Sequence, residues 1–474
     1  MAEKPILGAC DHAVPTGGLV LAQFGRINVR THGPGGRAAF DIRGASRSTT
    51  RWFFPIHTYL RDAVPHYPPC CSPVGDGSSP VCRRRYVGAL LVDEVSCWAV
   101  GEIVPAKREQ LARIKSQYAE APLGQSNVGH LIGGMRGLKC MLWEGSVLDA
   151  ESGITFHGKS IPQCQKELPT AKDIGRPGDE MLPESMLWLL LTGKVPTAEE
   201  AKGLSQDLMS RAKLPSFVEK VIDTFPKSLH PMTQFSAAVS TLNHDSKFAA
   251  AYNAGVKKTE FWQPTLEDTL DLIARLPAIA ARIYFNVFGK GDGKQHIDPS
   301  MDFAENFSHM LGYGDKEGLT DYLRLYLSVH GDHEGGNVSA HTCHLVGSAL
   351  SDPYLAYAAS LNGLAGPLHG LANQEVLNWI LEVQREVGDT PTDQQITDAL
   401  WATLKSGRVV PGYGHAVLRQ PDPRFTALYG FCDKRAELQS SPTVKLVQRI
   451  SQLAPPVLKE HGKTKNPFPN VDAA

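Results

Sequence analysis

The sequence lacks an excess of charge of either sign: 48 Lys and Arg residues stand against 49 Asp and Glu, a formal net charge of -1 over 474 residues. No whole-molecule field therefore draws it to nucleic acid or to an anionic membrane, and an anionic ligand must be held by a local cluster of cations. Long apolar runs are missing too. Stretches such as 87–92 and 186–191 fall well short of the roughly 20 residues a membrane-spanning helix needs, which points to a soluble protein. Cysteine is scarce, at nine residues, too few for a disulfide scaffold. Cys10, Cys70, Cys71, Cys82 and Cys97 crowd the front, and the rear reads as reduced and intracellular. A signal peptide is absent from the first fifteen residues, which carry Glu3 and Asp11 and no apolar core. Residues 26–51 are rich in Arg, Ser and Gly like a transit peptide, but they are internal and contain Asp41, so no targeting sequence fixes the location.

What is present is an ordinary globular composition, 42% hydrophobic, enough for one large core and a smaller domain. Residues 1–98 have little helical periodicity and clusters of Gly, Pro and Arg. They read as a disordered leader or as translated non-coding sequence joined to the gene. Pro105 is expected to open a helix whose buried face is Leu111, Ile114 and Tyr118. Thr197 to Glu200, Thr265 to Asp268 and Thr392 to Gln395 are capping boxes, each expected to start a helix, with Pro277 a kink and Gly407 a stop. Ser351-Asp352-Pro353 is a stop and restart, and 372–387 is a further helix. Strand signals are confined to short pieces such as 154–157. The class is mainly α, with no internal repeat.

Three segments set a histidine among glycines, where backbone can approach a ligand closely. The first is Gly331-Asp332-His333-Glu334-Gly335-Gly336-Asn337, followed by His341 and His344. His333 is the candidate donor to a polar ligand. A zinc site from His341, His344 and Glu334 is the alternative, set against helix packing for the two histidines, and tighter ligand spacing is usual for zinc. The second is Gly366-Pro367-Leu368-His369-Gly370, running into the 372–387 helix. A helix N-terminus disfavours imidazolium, so His369 is expected to be neutral, able to donate to a developing enolate oxygen without giving up a full proton. The third is Gly412-Tyr413-Gly414-His415, with Arg419 and Arg424 close behind, and two guanidiniums near a histidine suit a carboxylate or phosphate.

Together with Gly133-Gly134-Met135-Arg136-Gly137, Ser228-Leu229-His230-Pro231-Met232 and residues 463–472, these segments resemble citrate synthase of the eukaryotic mitochondrial type over about 105–472. The resemblance implies a mostly helical homodimer, with a large helical domain over 99–368 and a small domain and return segment over 369–474. It implies oxaloacetate and acetyl-CoA as substrates, no other cofactor, no metal, no nucleic acid or membrane partner, and a mitochondrial matrix location. By the same resemblance Asp472 is the base that takes a proton from the acetyl methyl group, His369 steadies the enolate and His415 polarises the oxaloacetate carbonyl. His333 and Arg424 hold oxaloacetate, and Arg136, Lys258, Arg419, Lys463 and Lys465 face the CoA phosphates, Lys258 replacing what is commonly an Arg. Two departures stand out. Residues before about 100 match nothing in the family, and the sequence stops at Ala474, where the family continues through helices that complete the small domain and carry two further substrate-binding arginines. Asp472 is thus expected on a fraying terminus. 2-Methylcitrate synthase, using propionyl-CoA, and a catalytically impaired remnant or associating subunit are the alternatives.

Overall fold

Helix signals in the sequence become helices almost wherever they occur, and the capping chemistry says why. A computed structural model of the protein describes residues 95–474 apart from 136, 137 and 144. The expected leader over 1–98 therefore lies almost wholly outside the described residues, as does Arg136. Thr197 caps helix Ala198–Arg211: its hydroxyl accepts from Glu200 N at 3.2 Å, while the Glu200 carboxylate takes Thr197 N at 2.7 Å. Two amides that the helix leaves without partners are thereby satisfied. Thr392 and Gln395 do the same for Asp393–Lys405. Asp352 caps Pro353–Leu364, with Pro353 at the first position, where a missing N–H costs nothing.

Two expectations fail, each for a physical reason. No helix starts at Thr265. Helix Trp262–Phe288 runs straight through it and through Pro277, and the Thr265 hydroxyl donates to Phe261 O at 2.7 Å. Asp268 is buried and serves a different helix, accepting from Ser246 Oγ, Lys247 N and Phe248 N at the start of Lys247–Asn253. Pro105 likewise lies inside helix Val95–Tyr118 rather than opening it, and the face expected to be buried is not: Leu111 is 42% and Tyr118 61% exposed.

Strands are few among the described residues. Ser146–Asp149, Gly153–Phe156 and Lys159–Ser160 form one antiparallel sheet, with Val147 opposite Thr155. Ile154 and Phe156 point into a core shared with Leu189, Leu325, Leu428 and Phe431. A larger core gathers Ile279 and Ile283 of Trp262–Phe288 with Val218, Val239, Leu323 and Tyr354. A third is built from Ala372–Val387, Asp393–Lys405, Val410 and Pro442–His461, with Tyr413 packed against it, and gathers Trp379, Leu400 and Ile450. Each fully buried Leu or Ile contributes about 1.5 to 3 kcal/mol. No helix among the described residues is long and apolar enough to cross a membrane.

Candidate active site

The loop after helix Glu317–Val329 is fastened from both sides. The Ser146 hydroxyl donates to Asp332 Oδ2 at 2.7 Å and accepts from Glu334 N at 2.7 Å, and Glu334 Oε2 accepts from Leu148 N at 3.1 Å. Asn337 donates to His333 O and Glu334 O, while its oxygen caps Val338–Gly347 through Ala340 N. This holds His333 with its Nε2 buried and without a hydrogen-bond partner. Burial, then Arg424 and His415, push its pKa down to about 3, so the ring is neutral. Glu334 is committed to the strand, and His344 is exposed rather than packed. Among the described residues no group of three or more His, Cys, Asp or Glu is arranged to hold a metal.

Gly412 and Gly414, at φ +80° and +94°, turn the next loop through a region L side chains rarely adopt. The turn brings His415 Nδ1 to accept from Val417 N and Leu418 N, both at 3.0 Å. A ring nitrogen that accepts two amides carries no proton, so the proton of the neutral ring is on Nε2. Burial is the main cause holding the His415 pKa below its usual value, with Arg424 and Arg419 adding to it and Asp422 opposing. The His333 and His415 ring centres are 6.3 Å apart. Arg419 folds back on its own loop, donating to Val417 O and Leu418 O at 2.7 Å each. Arg424 is buried and donates through Nε and Nη2 to Asp422, at 3.1 and 2.7 Å, a pairing that leaves Nη1 for another acceptor. Asp422 in turn caps helix Pro423–Asp433.

Asp472 does not fray. Tyr413 pairs with Pro469, Gly414 N donates to Phe468 O, Asp422 N to Pro469 O at 3.1 Å, and Asn470 N to Gly412 O at 2.9 Å. Ala473 is buried, and a Cβ on Gly412 would stand 3.0 Å from its methyl. The turn Val471–Ala473 packs on both Ala372–Val387 and Pro423–Asp433. The expectation of a loose terminus overlooked this lacing, which joins residues some fifty positions apart. Burial raises the Asp472 pKa to about 6, with Arg424 opposing and Asp422 assisting. Burial and then the Asp472 charge push the Tyr326 phenol to about 12.

His369 precedes helix Ala372–Val387, and its Nε2 pairs with Ser339 Oγ at 2.6 Å. Its pKa is lowered by burial, the direction expected of a neutral ring. The structure thus gathers His333, His415, Arg424 and Asp472, and ties His369 to Ser339 on the helix that follows His333. Lys258, in the short turn Lys258–Glu260, and Lys463 and Lys465, in the irregular run leading to Asp472, are exposed. Sequence reading gave no role to Ser339, Asn470 or Tyr326.

The citrate synthase C-terminal domain family matches residues 134–474. The chain belongs to the citrate synthase family. It is 57% identical to the mitochondrial 2-methylcitrate synthase of Fusarium solani over 83% of this chain and 84% of that one. It is 53% identical to a probable mitochondrial citrate synthase of Glossina morsitans morsitans, over 78% of each. The solved citrate synthase of Pyrobaculum aerophilum has the same fold, at TM-score 0.60 and 25% identity over 72% of this chain and 80% of that one. The chain is therefore a helical acyltransferase of the citrate synthase type, and its mitochondrial relatives support a mitochondrial location.

Proposed function

We propose that this chain condenses a short acyl-CoA with oxaloacetate, with Asp472 as base, His369 as donor to the enolate oxygen and His415 as donor to the oxaloacetate carbonyl. The observation that carries the reading is the buried His333 Nε2, which has no hydrogen-bond partner within the protein, beside His415 and Arg424. An α-carbon acid beside a thioester is so weak that base and enolate donor must act together. Asp472, at about 6, is mostly ionised at neutral pH yet more basic than an ordinary carboxylate. The Ser339 hydroxyl can donate to His369 Nε2 at 2.6 Å, and in that tautomer the neutral ring keeps its proton on Nδ1 for the enolate oxygen. The fixed Nε2–H of His415 suits the ketone that is attacked. His333 and Arg424 hold the dicarboxylate, and hydrolysis of the condensed thioester releases CoA. Lys258, Arg419, Lys463, Lys465 and Arg136 supply cations for CoA phosphates.

The same reading divides the catalytic body into a large domain over 99–368 and a small one over 369–474. It also gives the chain a second copy as partner. Helix Val338–Gly347 has no buried residue although it is largely apolar, and Leu345 is 62% exposed. An apolar helix that packs on Pro353–Leu364 along one side and leaves Leu345 exposed on another suits a dimer face beside the site.

Acetyl-CoA gives citrate. A second reading, propionyl-CoA to 2-methylcitrate, is favoured by the relatives so named, at 54 to 57% identity against 49 to 53% for the named citrate synthases. One methylene separates the substrates by only about 1 to 3 kcal/mol. Comparing kcat/KM for the two acyl-CoAs, read as CoA thiol release with oxaloacetate, decides between them. Oxaloacetate binding without thiol release from either would leave a silent remnant and refute the proposal.

A further inference from the structure

We infer that Asn470 is a positioning residue whose single side-chain amide sets the distance between the loop of His415 and the carboxylate of Asp472. The inference rests on the proposed role of Asp472 as base. Asn470 Oδ1 accepts from Asp472 N at 2.9 Å, while Nδ2 donates to Gly414 O at 2.9 Å. Oxygen to an N–H and nitrogen to a carbonyl is the one orientation of the amide that satisfies both ends. Gly414 O belongs to the peptide unit that enters His415. One planar group thus bridges the backbone of the proposed acid and the backbone of the proposed base. A third bond, Asn470 N to Gly412 O at 2.9 Å, holds the bridge in register from the other side of the glycine turn.

The surroundings leave this amide its positioning task. The peptides on either side are already fastened, since Gly414 N donates to Phe468 O and Asp422 N to Pro469 O, so the chain would stay docked without the side chain. What the side chain adds is the orientation of the short turn Val471–Ala473, which it caps and on which the Asp472 carboxylate is carried. A carboxylate that must meet a C–H bond is sensitive to such orientation: about 1 Å of misplacement costs about 10²-fold in rate. Neither partner's charge is altered by the amide, so its loss acts on geometry.

Three variants test this in the full chain, with melting temperature followed alongside. Asn470→Ala removes both bonds and is expected to lower kcat about 100-fold while KM for oxaloacetate stays within about threefold of wild type. Asn470→Ser keeps a capping acceptor for Asp472 N but cannot reach Gly414 O, and is expected to recover part of the loss. Asn470→Asp keeps the acceptor and brings a second carboxylate beside Asp472, so the acid limb of the kcat profile moves to higher pH. A kcat for Asn470→Ala within twofold of wild type, with Asp472→Asn inactive, would overturn the inference while leaving the base assignment standing. An unmoved acid limb in a well-folded Asn470→Asp would overturn it also. Wild-type turnover by Asp472→Asn would remove the base assignment and this inference with it.

Discussion

Two buried arginines sit in opposite circumstances. Arg324, 1% exposed, has its donors distributed among Asp302, Asp321 and Pro177 O, in bonds of 2.6 to 3.1 Å. Arg424, 6% exposed, has one carboxylate, Asp422, and around it stand a histidine nitrogen with no partner and a carboxyl lifted to about 6. The Arg324 guanidinium is fully paired within the protein, and its bonds tie Glu317–Val329 to Pro177 and to Asp302, the cap of Phe303–Met310. The second keeps hydrogen-bonding capacity that its own neighbours do not use. Buried charge alone therefore does not mark a site, and neither does a single unpaired buried atom, since Glu184 Oε2 is one too; an unpaired ring nitrogen, a second histidine and a raised carboxyl around one buried cation do.

The sharpest way to break this comparison is to remove each arginine. Arg324→Met strands Asp302 without its cation and leaves Asp321 only Arg435, and is expected to cost about 3 to 5 kcal/mol of stability, read as a lower denaturant midpoint. Arg424→Lys, by contrast, keeps a charge but loses the fork, and should raise KM for oxaloacetate far more than it lowers the melting temperature. Next in size, His369→Gly is expected to lower kcat by about 10² to 10³ with oxaloacetate binding by calorimetry largely intact. Unchanged turnover would remove His369 from the mechanism.

A pH test sharpens the first cluster. Glu184, Asp302, Asp321 and Glu305 face Arg324, Arg176 and Arg435, four carboxyls to three guanidiniums. Glu184 is the one without a cation: one oxygen accepts from Phe303 N, and the other is buried without a hydrogen bond. Burial, then Asp302, raises its pKa from 4.5 to about 7. A carboxyl raised in the folded state stabilises below its unfolded pKa, and that stability is lost as pH rises through the folded value. Wild type should therefore lose melting temperature between pH 5 and 8 relative to Glu184→Gln; parallel profiles would refute the assignment. The smallest effect separates two threonines: Thr197→Ala, which removes a cap, should cost about 1 kcal/mol, and Thr265→Ala, inside its helix, clearly less.

These contrasts also measure what the sequence disclosed. His369 and His415 were legible because glycines around a histidine are a local pattern, and the helical class because capping boxes and periodicity are local too. Asp268 misled because a capping box in sequence does not say which helix its carboxylate will serve. Pro105 misled because a proline can sit within a helix when the surrounding turns hold. The state of Asp472 was illegible for a larger reason: its order depends on bonds to Gly412, Gly414 and Asp422, some fifty residues back, and no periodicity records such pairings. The vacant Nε2 of His333 was equally hidden, since an unmet hydrogen bond exists only once the neighbours are in place.

The central claim is that the second cluster works, with Asp472 as its base. Steady-state release of CoA thiol from oxaloacetate and acetyl- or propionyl-CoA, with wild type and Asp472→Asn side by side, tests it most directly. Wild type is expected to turn over, with kcat/KM falling on the acid side as Asp472, at about 6, takes up a proton, and Asp472→Asn to lose about 10²- to 10⁴-fold with a melting temperature no lower than that of wild type. Equal turnover by the two proteins would contradict it.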